Sequence, residues 1–146
     1  MSKYRVGIQM YTVNAFLKTP EDVRASLAKF RKAGYDAAEI CAVCPMPAKD
    51  LRAMMLDEGI DPIGSHTNID ALRTNLRGAI DECHGWGVKY ITISWIPMAQ
   101  YKTPEEQKKL FKELDAFYDT PALDVKTRDY PFSFHALPPV IAPARF

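Results

Sequence analysis

The sequence predicts an α/β fold, a partial (β/α)8 TIM barrel with about four of the eight βα units. Strand-like segments begin near residues 4, 36, 61 and 89, in steps of 32, 25 and 28 residues, with a helical pattern in each interval. The chain has 146 residues, whereas a complete barrel normally needs about 250. Polar residues recur on one face of strands that a doubly wound sheet would bury on both faces. Together these observations favour half of a barrel.

The first βα unit is bounded by clear start and stop signals. The apolar run Tyr4–Thr12 predicts the first strand. Thr19 and Pro20 provide an N-cap and a first helical residue, and two acidic residues follow in the first turn. Gly34 stands where a left-handed residue ends the helix. Asp36–Val43 then predicts a second, nearly apolar strand.

The same alternation continues through the next two units. A helix is expected over Ala48–Glu58 and a strand over Pro62–Thr67. Asp70 is expected to cap the third helix, which stops at Gly85–Gly87. Lys89–Trp95, rich in Ile, Thr, Tyr and Trp, predicts the fourth strand.

The end of the chain departs from this pattern. Thr103 and Glu106 form a capping box that starts a fourth helix. From Pro121 onward there are five of the eleven prolines and none of the seven glycines. We therefore expect residues 1–120 to form the amino-terminal half of a barrel and residues 121–146 to form an irregular Pro-rich tail. We hypothesise that a frameshift or truncation near residues 119–121 produced this tail.

The composition excludes several classes of protein. Hydrophobic residues make up 47% and charged residues 25%, which is typical of a globular domain. A net charge of +1 gives no basic face for nucleic acid. Three cysteines are too few for a disulfide framework, and we find neither a signal core nor an apolar run of membrane length. We expect a cytoplasmic protein with no nucleic-acid or membrane partner.

Candidate site residues lie on the predicted strands. Gln9 and Tyr11 share one face of the first strand, Glu39 lies within the second, His66 ends the third, and Trp95 ends the fourth. Barrel chemistry takes place at the carboxyl ends of the strands. A carboxylate such as Glu39 inside an apolar strand is costly unless it is paired or protonated. The alternatives are a hydrogen-bonded core histidine, a structural ion pair and simple filling of the barrel interior.

Four segments carry a family resemblance: Val6–Thr12, Gly34–Ile40, Gly64–Thr67 and Gly87–Ile93. They resemble the first four strands of the sugar phosphate isomerase/epimerase family, which has the xylose isomerase-like TIM barrel. The resemblance covers about residues 4–118. Its most specific part is the Gly-Tyr-Asp-x-x-Glu turn into the second strand, followed by a Ser-His strand end.

The resemblance implies a metal-assisted isomerisation or epimerisation of a small sugar, sugar phosphate or polyol. The family holds a divalent ion (Mn, Mg, Zn or Co) with Glu, Asp, His and Glu residues contributed mainly by later strands. Glu39 and His66 match its acid on strand two and its histidine on strand three, beside the substrate. Those are the implied catalytic residues, with Gln9, Tyr11 and Trp95 as substrate-binding candidates. The metal set is incomplete, and His135 is a weak candidate because the second histidine and acid of the family's fifth strand are absent.

Two other functions remain open. Bare strand edges and an exposed interior would allow the half-barrel to work only as a homo-oligomer or with a partner chain. A metal-dependent endonuclease for abasic DNA resembles the same barrel, although such enzymes use several histidines and a basic groove. Cys41 and Cys44 have redox spacing, but no second pair accompanies them.

Overall fold

The computed structural model describes residues 5–88, 90–93, 96–118 and 132–134. Within them, strands and helices alternate along the chain, and every strand pairing is parallel. The elements are β1 Gly7–Gln9, α1 Pro20–Lys32, β2 Ala37–Ile40, α2 Ala48–Asp57, β3 Asp61–Thr67, α3 Ile69–Trp86, β4 Ile91–Ile93, α4 Pro104–Tyr118 and β5 Phe132–Phe134, with 3₁₀ helices over Met10–Phe16 and Met98–Gln100. The predicted α/β half-barrel is confirmed.

The sheet follows the chain order β1-β2-β3-β4-β5. The register places Gln9 opposite Glu39, Glu39 opposite Gly64, and His66 opposite Thr92. A shift of register between Ala38 and Glu39 accommodates an extra residue of β3. Gln9 and Glu39 therefore lie at one height, and His66 and Thr92 lie at a second height two residues further along β3.

The helices cover one face of the sheet with apolar side chains. One core cluster joins α1, α2 and the second half of α3 to β2 and the start of β4, and a second joins α3 to α4. Their buried residues include Val23, Leu27, Phe30, Ile40, Leu51, Met55, Ile80, Cys83 and Ile91 in the first, and Leu72, Ala79, Ile93, Leu110 and Leu114 in the second. Along α1, α3 and α4 these apolar residues recur three, four or seven positions apart, so each helix buries one face.

Local signals set the ends of α1. Thr19 Oγ1 accepts a hydrogen bond from the Asp22 amide at 3.1 Å, and the Asp22 carboxylate accepts one from the Thr19 amide at 3.1 Å. Gly34 follows with a φ of 95°, a conformation that glycine adopts without strain. The predicted start and stop of this helix are confirmed.

The first strand is shorter than the predicted Tyr4–Thr12. It ends at Gln9 because the chain turns there into a 3₁₀ helix, with Met10 fully buried and Thr12 Oγ1 donating to the Gln9 carbonyl at 2.7 Å. Tyr11 consequently lies in that helix, 57% exposed. The prediction that Tyr11 shares a strand face with Gln9 is wrong.

The cap of α3 also differs from the prediction. Asn68, not Asp70, is the N-cap: its Oδ1 accepts from the Asp70 amide at 2.8 Å. The helix begins earlier because Ile69 is fully buried and must enter the core. Inside α3, the chain bends at Asn75, whose φ is −152° and whose Oδ1 accepts from the Gly78 amide at 3.0 Å.

A fifth strand lies within the segment expected to be irregular. Phe132–Phe134 pair in parallel with Ile91–Ile93. Among the described residues, none of the helices has the length and apolar character that a membrane crossing requires.

Candidate active site

Four consecutive strands bring one polar side chain each to the face of the sheet opposite the main helical core. We call Gln9, Glu39, His66 and Thr92 the polar cluster. The parallel register explains it: Gln9 and Glu39 are paired, Glu39 is opposite Gly64, and His66 lies two residues beyond Gly64 on the same face of β3 and is paired with Thr92. The sequence pattern of one polar residue on each strand therefore becomes a single constellation.

Glu39 is the centre of the polar cluster. Its Oε2 lies 3.0 Å from His66 Nε2 and accepts a hydrogen bond from Gln9 Nε2 at 3.1 Å. Its Oε1 lies 3.4 Å from Thr92 Oγ1, which donates to it. Both oxygens of the carboxylate are thus held in position, which favours one orientation of the group.

The side chains of Glu39 and His66 are mostly buried but keep some contact with solvent. The side chain of Glu39 is 18% exposed and that of His66 is 10% exposed. Gln9 Nε2 also lies 3.1 Å from His66 Nε2. An amide nitrogen is only a donor, so Gln9 can donate to His66 Nε2 in the tautomer that has no proton there, whereas a protonated Nε2 donates to Glu39 Oε2. The pair can therefore hold a proton between an imidazole and a carboxylate.

Gly64 leaves room for this carboxylate. A Cβ at position 64 would lie 3.7 Å from Glu39 Oε1 and 3.5 Å from the Tyr90 carbonyl oxygen. A side chain longer than a methyl group would extend into the space that Glu39 occupies. The glycine of the predicted Gly-Ser-His-Thr strand end thus has a steric role beside the acid.

Two adjoining cavities reach His66 from the side of α3. The larger, about 510 Å³, lies against the end of β3 and both halves of α3; the smaller, about 200 Å³, lies against residues 40–46. Both are lined by His66, Glu82 and Trp86, and together we call them the α3 groove. The polar cluster and the α3 groove therefore meet at His66.

The surroundings of Cys41, beside the smaller cavity, disfavour a reactive thiolate. Burial, and then the charge of Glu39, raise the pKa of the Cys41 thiol. A reactive cysteine requires the opposite shift, because the thiolate is the nucleophile. Cys41 and Cys44 are both free thiols in the structure.

The described residues do not form a metal centre. Within those ranges, no group of three or more His, Cys, Asp and Glu side chains is placed to hold an ion. Glu39 and His66 provide two suitable ligand types, but their nearest atoms face each other at 3.0 Å. The implied requirement for Mn, Mg, Zn or Co stays a prediction, and His135 lies outside the described residues.

The outcome for the other predicted site residues is mixed. Gln9, Glu39 and His66 come together as expected, Tyr11 does not join them, and Trp95 lies outside the described residues. Sequence reasoning gave no site role to Glu82 or Trp86, which line both cavities. Their only sequence signal is a spacing of four on α3, which places them on one helix face.

Comparison with known proteins supports the fold. No protein-family model and no curated protein matches the chain. A crystal structure of a sugar phosphate isomerase/epimerase from Parabacteroides distasonis is similar, with a TM-score of 0.71 and 17% identity over 92% of this chain and 52% of that one. A xylose isomerase domain containing protein from Salmonella typhimurium gives a TM-score of 0.62 and 11% identity over 92% and 50%. The chain spans about half the length of these structures and shares their fold.

Proposed function

We propose that this chain carries part of a sugar isomerase or epimerase site in which Glu39 and His66 move a proton next to a carbonyl group. The observation that carries the proposal is the 3.0 Å contact between Glu39 Oε2 and His66 Nε2, at the meeting point of the polar cluster and the α3 groove. The likeness to the fold of a sugar phosphate isomerase/epimerase supports it as an analogy.

The proposed chemistry needs one base and one acid at neighbouring substrate atoms. Glu39 accepts the proton from the carbon next to the carbonyl, and the electron pair of the broken C–H bond forms a C=C bond. The carbonyl oxygen takes a proton from His66 and becomes the hydroxyl of an enediol. When the former carbonyl carbon takes up a proton and the neighbouring hydroxyl loses its proton, the carbonyl moves and the product is the isomer. When the original carbon takes up a proton on its opposite face and the hydroxyl formed from the carbonyl returns its proton to His66, the carbonyl is restored and the product is the epimer.

Exchange with solvent tests this proposal. The full chain is incubated in deuterium oxide with a ketose, with and without added Mn²⁺, and deuterium at the carbon next to the carbonyl is measured by NMR. We expect enzyme-dependent exchange that falls at least about a hundredfold in Glu39→Gln, the loss expected for removal of a general base. His66→Asn should lower it comparably.

Glu105→Gln is the matched control, because Glu105 is an exposed glutamate in the first turn of α4. It should exchange deuterium at the rate of the unmodified chain. Absence of exchange above the buffer rate contradicts the proposal, and so does an exchange rate that Glu39→Gln leaves unchanged. Circular dichroism of each variant verifies that it is folded.

A second candidate function is a half-barrel that works as an assembled module. Ile63 and Tyr90, two large apolar residues of the β3 and β4 region, are 36% and 46% exposed. In the described sheet, β1 forms an edge with no strand beyond it. Such surfaces favour association of copies or halves.

A further inference from the structure

We infer that the α3 groove binds an unphosphorylated polyol in preference to a sugar phosphate. This inference rests on the proposed function, since it assigns a substrate class to the same site. His66 lines both cavities of the groove, and the two cavities together are large enough for a small sugar.

The charge of the groove disfavours a phosphate group. The residues lining the two cavities include Glu82 and, among the described residues, neither lysine nor arginine. Glu82 lines both cavities, so it lies close to a ligand in either. A phosphate dianion would meet this carboxylate with neither a lysine nor an arginine among the described lining residues to offset the repulsion, whereas an uncharged polyol would meet no such repulsion.

The polar lining suits hydroxyl groups. Asn68 and Asn75 accept backbone hydrogen bonds through Oδ1, and their Nδ2 amides make no bond to another described residue. Thr74 Oγ1 donates to the Asp70 carbonyl at 2.8 Å and keeps lone pairs that can accept. Amide donors and a hydroxyl acceptor along one wall match the alternating donors and acceptors of a polyol.

Trp86 supplies the apolar surface that sugar recognition also needs. It is partly buried against the main core, so packing fixes its ring, while part of it lines both cavities. The C–H face of a sugar ring can pack on such an indole, with its hydroxyls directed to the opposite wall. The bend of α3 at Asn75 gives the groove its shape, because it brings both halves of the helix to one cavity.

Titration calorimetry of the full chain with fructose and with fructose 6-phosphate tests the inference, because the two ligands share a carbon skeleton. We expect fructose to bind and fructose 6-phosphate to bind at least about tenfold more weakly, the equivalent of about 1.4 kcal/mol. Glu82→Lys should remove this preference. Trp86→Phe should weaken fructose binding, and thermal melting verifies that this variant is folded.

Asp81→Lys is the matched control, since Asp81 is an exposed neighbour on α3 that does not line the groove. It changes the net charge equally and should keep the preference for fructose. Equal or tighter binding of fructose 6-phosphate by the unmodified chain overturns the inference. Failure to bind fructose overturns it too, as does loss of the preference in Asp81→Lys.

The binding experiment and the exchange experiment distinguish failure of this inference from failure of the proposed function. Fructose that binds in the groove without exchanging deuterium leaves this inference standing and contradicts the proposed function. Exchange that occurs on fructose 6-phosphate alone supports the proposed function and overturns this inference.

Discussion

Gln9 and Thr92 act on the site through the Glu39 carboxylate. Each donates to a different oxygen, at 3.1 Å from Gln9 Nε2 and at 3.4 Å from Thr92 Oγ1. The shorter of the two comes from an amide that also lies beside His66 Nε2. Gln9 is therefore the stronger determinant of how the acid and the imidazole face each other.

Gln9→Leu should lower the rate of deuterium exchange by about tenfold and leave the fold intact. The variant removes a hydrogen bond to a charged group, worth about 1.5 kcal/mol or more, while keeping a side chain of similar size. The exchange assay and urea unfolding measure the two effects.

Gln107→Leu is the control for that variant. It removes the same kind of amide, which in this case donates to the Tyr101 carbonyl at 3.2 Å near the start of α4. Its exchange rate should equal that of the unmodified chain. An unchanged rate in Gln9→Leu would show that the amide does not position Glu39.

A site residue could be predicted from the sequence where its neighbours in the chain already distinguish it. Glu39 and His66 stand out because a carboxylate inside a strand and a histidine at a strand end are visible in the sequence itself. Tyr11 was assigned wrongly because the residues next to it in the sequence do not indicate the 3₁₀ helix that starts at buried Met10. Glu82 was missed because its position beside the α3 groove depends on the bend of a helix at Asn75, seven residues away.

At the scale of elements, a bidentate ion pair joins α3 and α4. Arg73 Nε lies 2.6 Å from Glu113 Oε1, and Arg73 Nη2 lies 2.7 Å from Glu113 Oε2. Arg73 also bonds Asp70 at 3.0 Å and the Gln100 side chain at 2.7 Å. These contacts hold α4 against the first half of α3, which forms one side of the α3 groove.

This ion pair predicts a dependence of stability on pH. The bonds from Arg73 lower the pKa of Glu113 below its ordinary value, so folding favours the charged carboxylate. The stabilisation is present above the ordinary carboxyl pKa and is lost as pH falls through the lowered pKa of Glu113. Because the pair is partly exposed to solvent, its size should be below about 1 kcal/mol.

Urea unfolding from neutral pH down through the ordinary carboxyl pKa and below the lowered pKa of Glu113 measures this dependence. Glu113→Gln should lower the free energy of unfolding near neutral pH and make it vary less as the pH falls. Asp115→Asn removes a carboxylate from an exposed position of the same helix and should leave the pH dependence unchanged. Equal pH dependence in Glu113→Gln and the unmodified chain would contradict the assignment.

Among the elements, the helices with clear capping residues and helix-ending glycines were predicted most accurately. The capping boxes at Thr19 and Thr103 and the left-handed Gly34 and Gly87 each act within a few residues, so the sequence states them directly. The cap of α3 was misplaced by two residues because Asn68 and Asp70 are both good capping residues. Burial of Ile69 decides between them, and burial is a property of the assembled fold.

For the whole molecule, the spacing of strands was enough to predict parallel βα units. Residue counts of about 25 to 32 between strand starts leave room for one crossover helix each, and parallel pairing follows. The parallel strand at Phe132–Phe134 was not expected as part of the sheet, because the many prolines around it indicate irregular chain. Its partner β4 lies about 40 residues earlier, beyond the reach of local pattern.

The face of the sheet that carries the polar cluster has apolar as well as polar side chains. Gly7 lies two residues before Gln9 in β1, so a Cβ at Gly7 would point to the same side as the Gln9 side chain. That Cβ would lie 3.4 Å from Ile63 Cδ1, which places the Ile63 side chain on the face of the polar cluster. An exposed apolar residue on this face favours contact with another chain.

Self-association through this face should therefore be measurable, and Ile63→Lys should weaken it at least about tenfold, or about 1.4 kcal/mol, by placing a charge in the interface. Sedimentation equilibrium over a range of concentrations measures the dissociation constant. Phe111→Lys is the control, because it places the same charge at an exposed apolar residue of α4, in the helical layer. Phe111→Lys should associate like the unmodified chain. An unmodified chain that remains monomeric across the range contradicts the assembled half-barrel, and equal weakening by both lysines would move the interface away from the polar cluster.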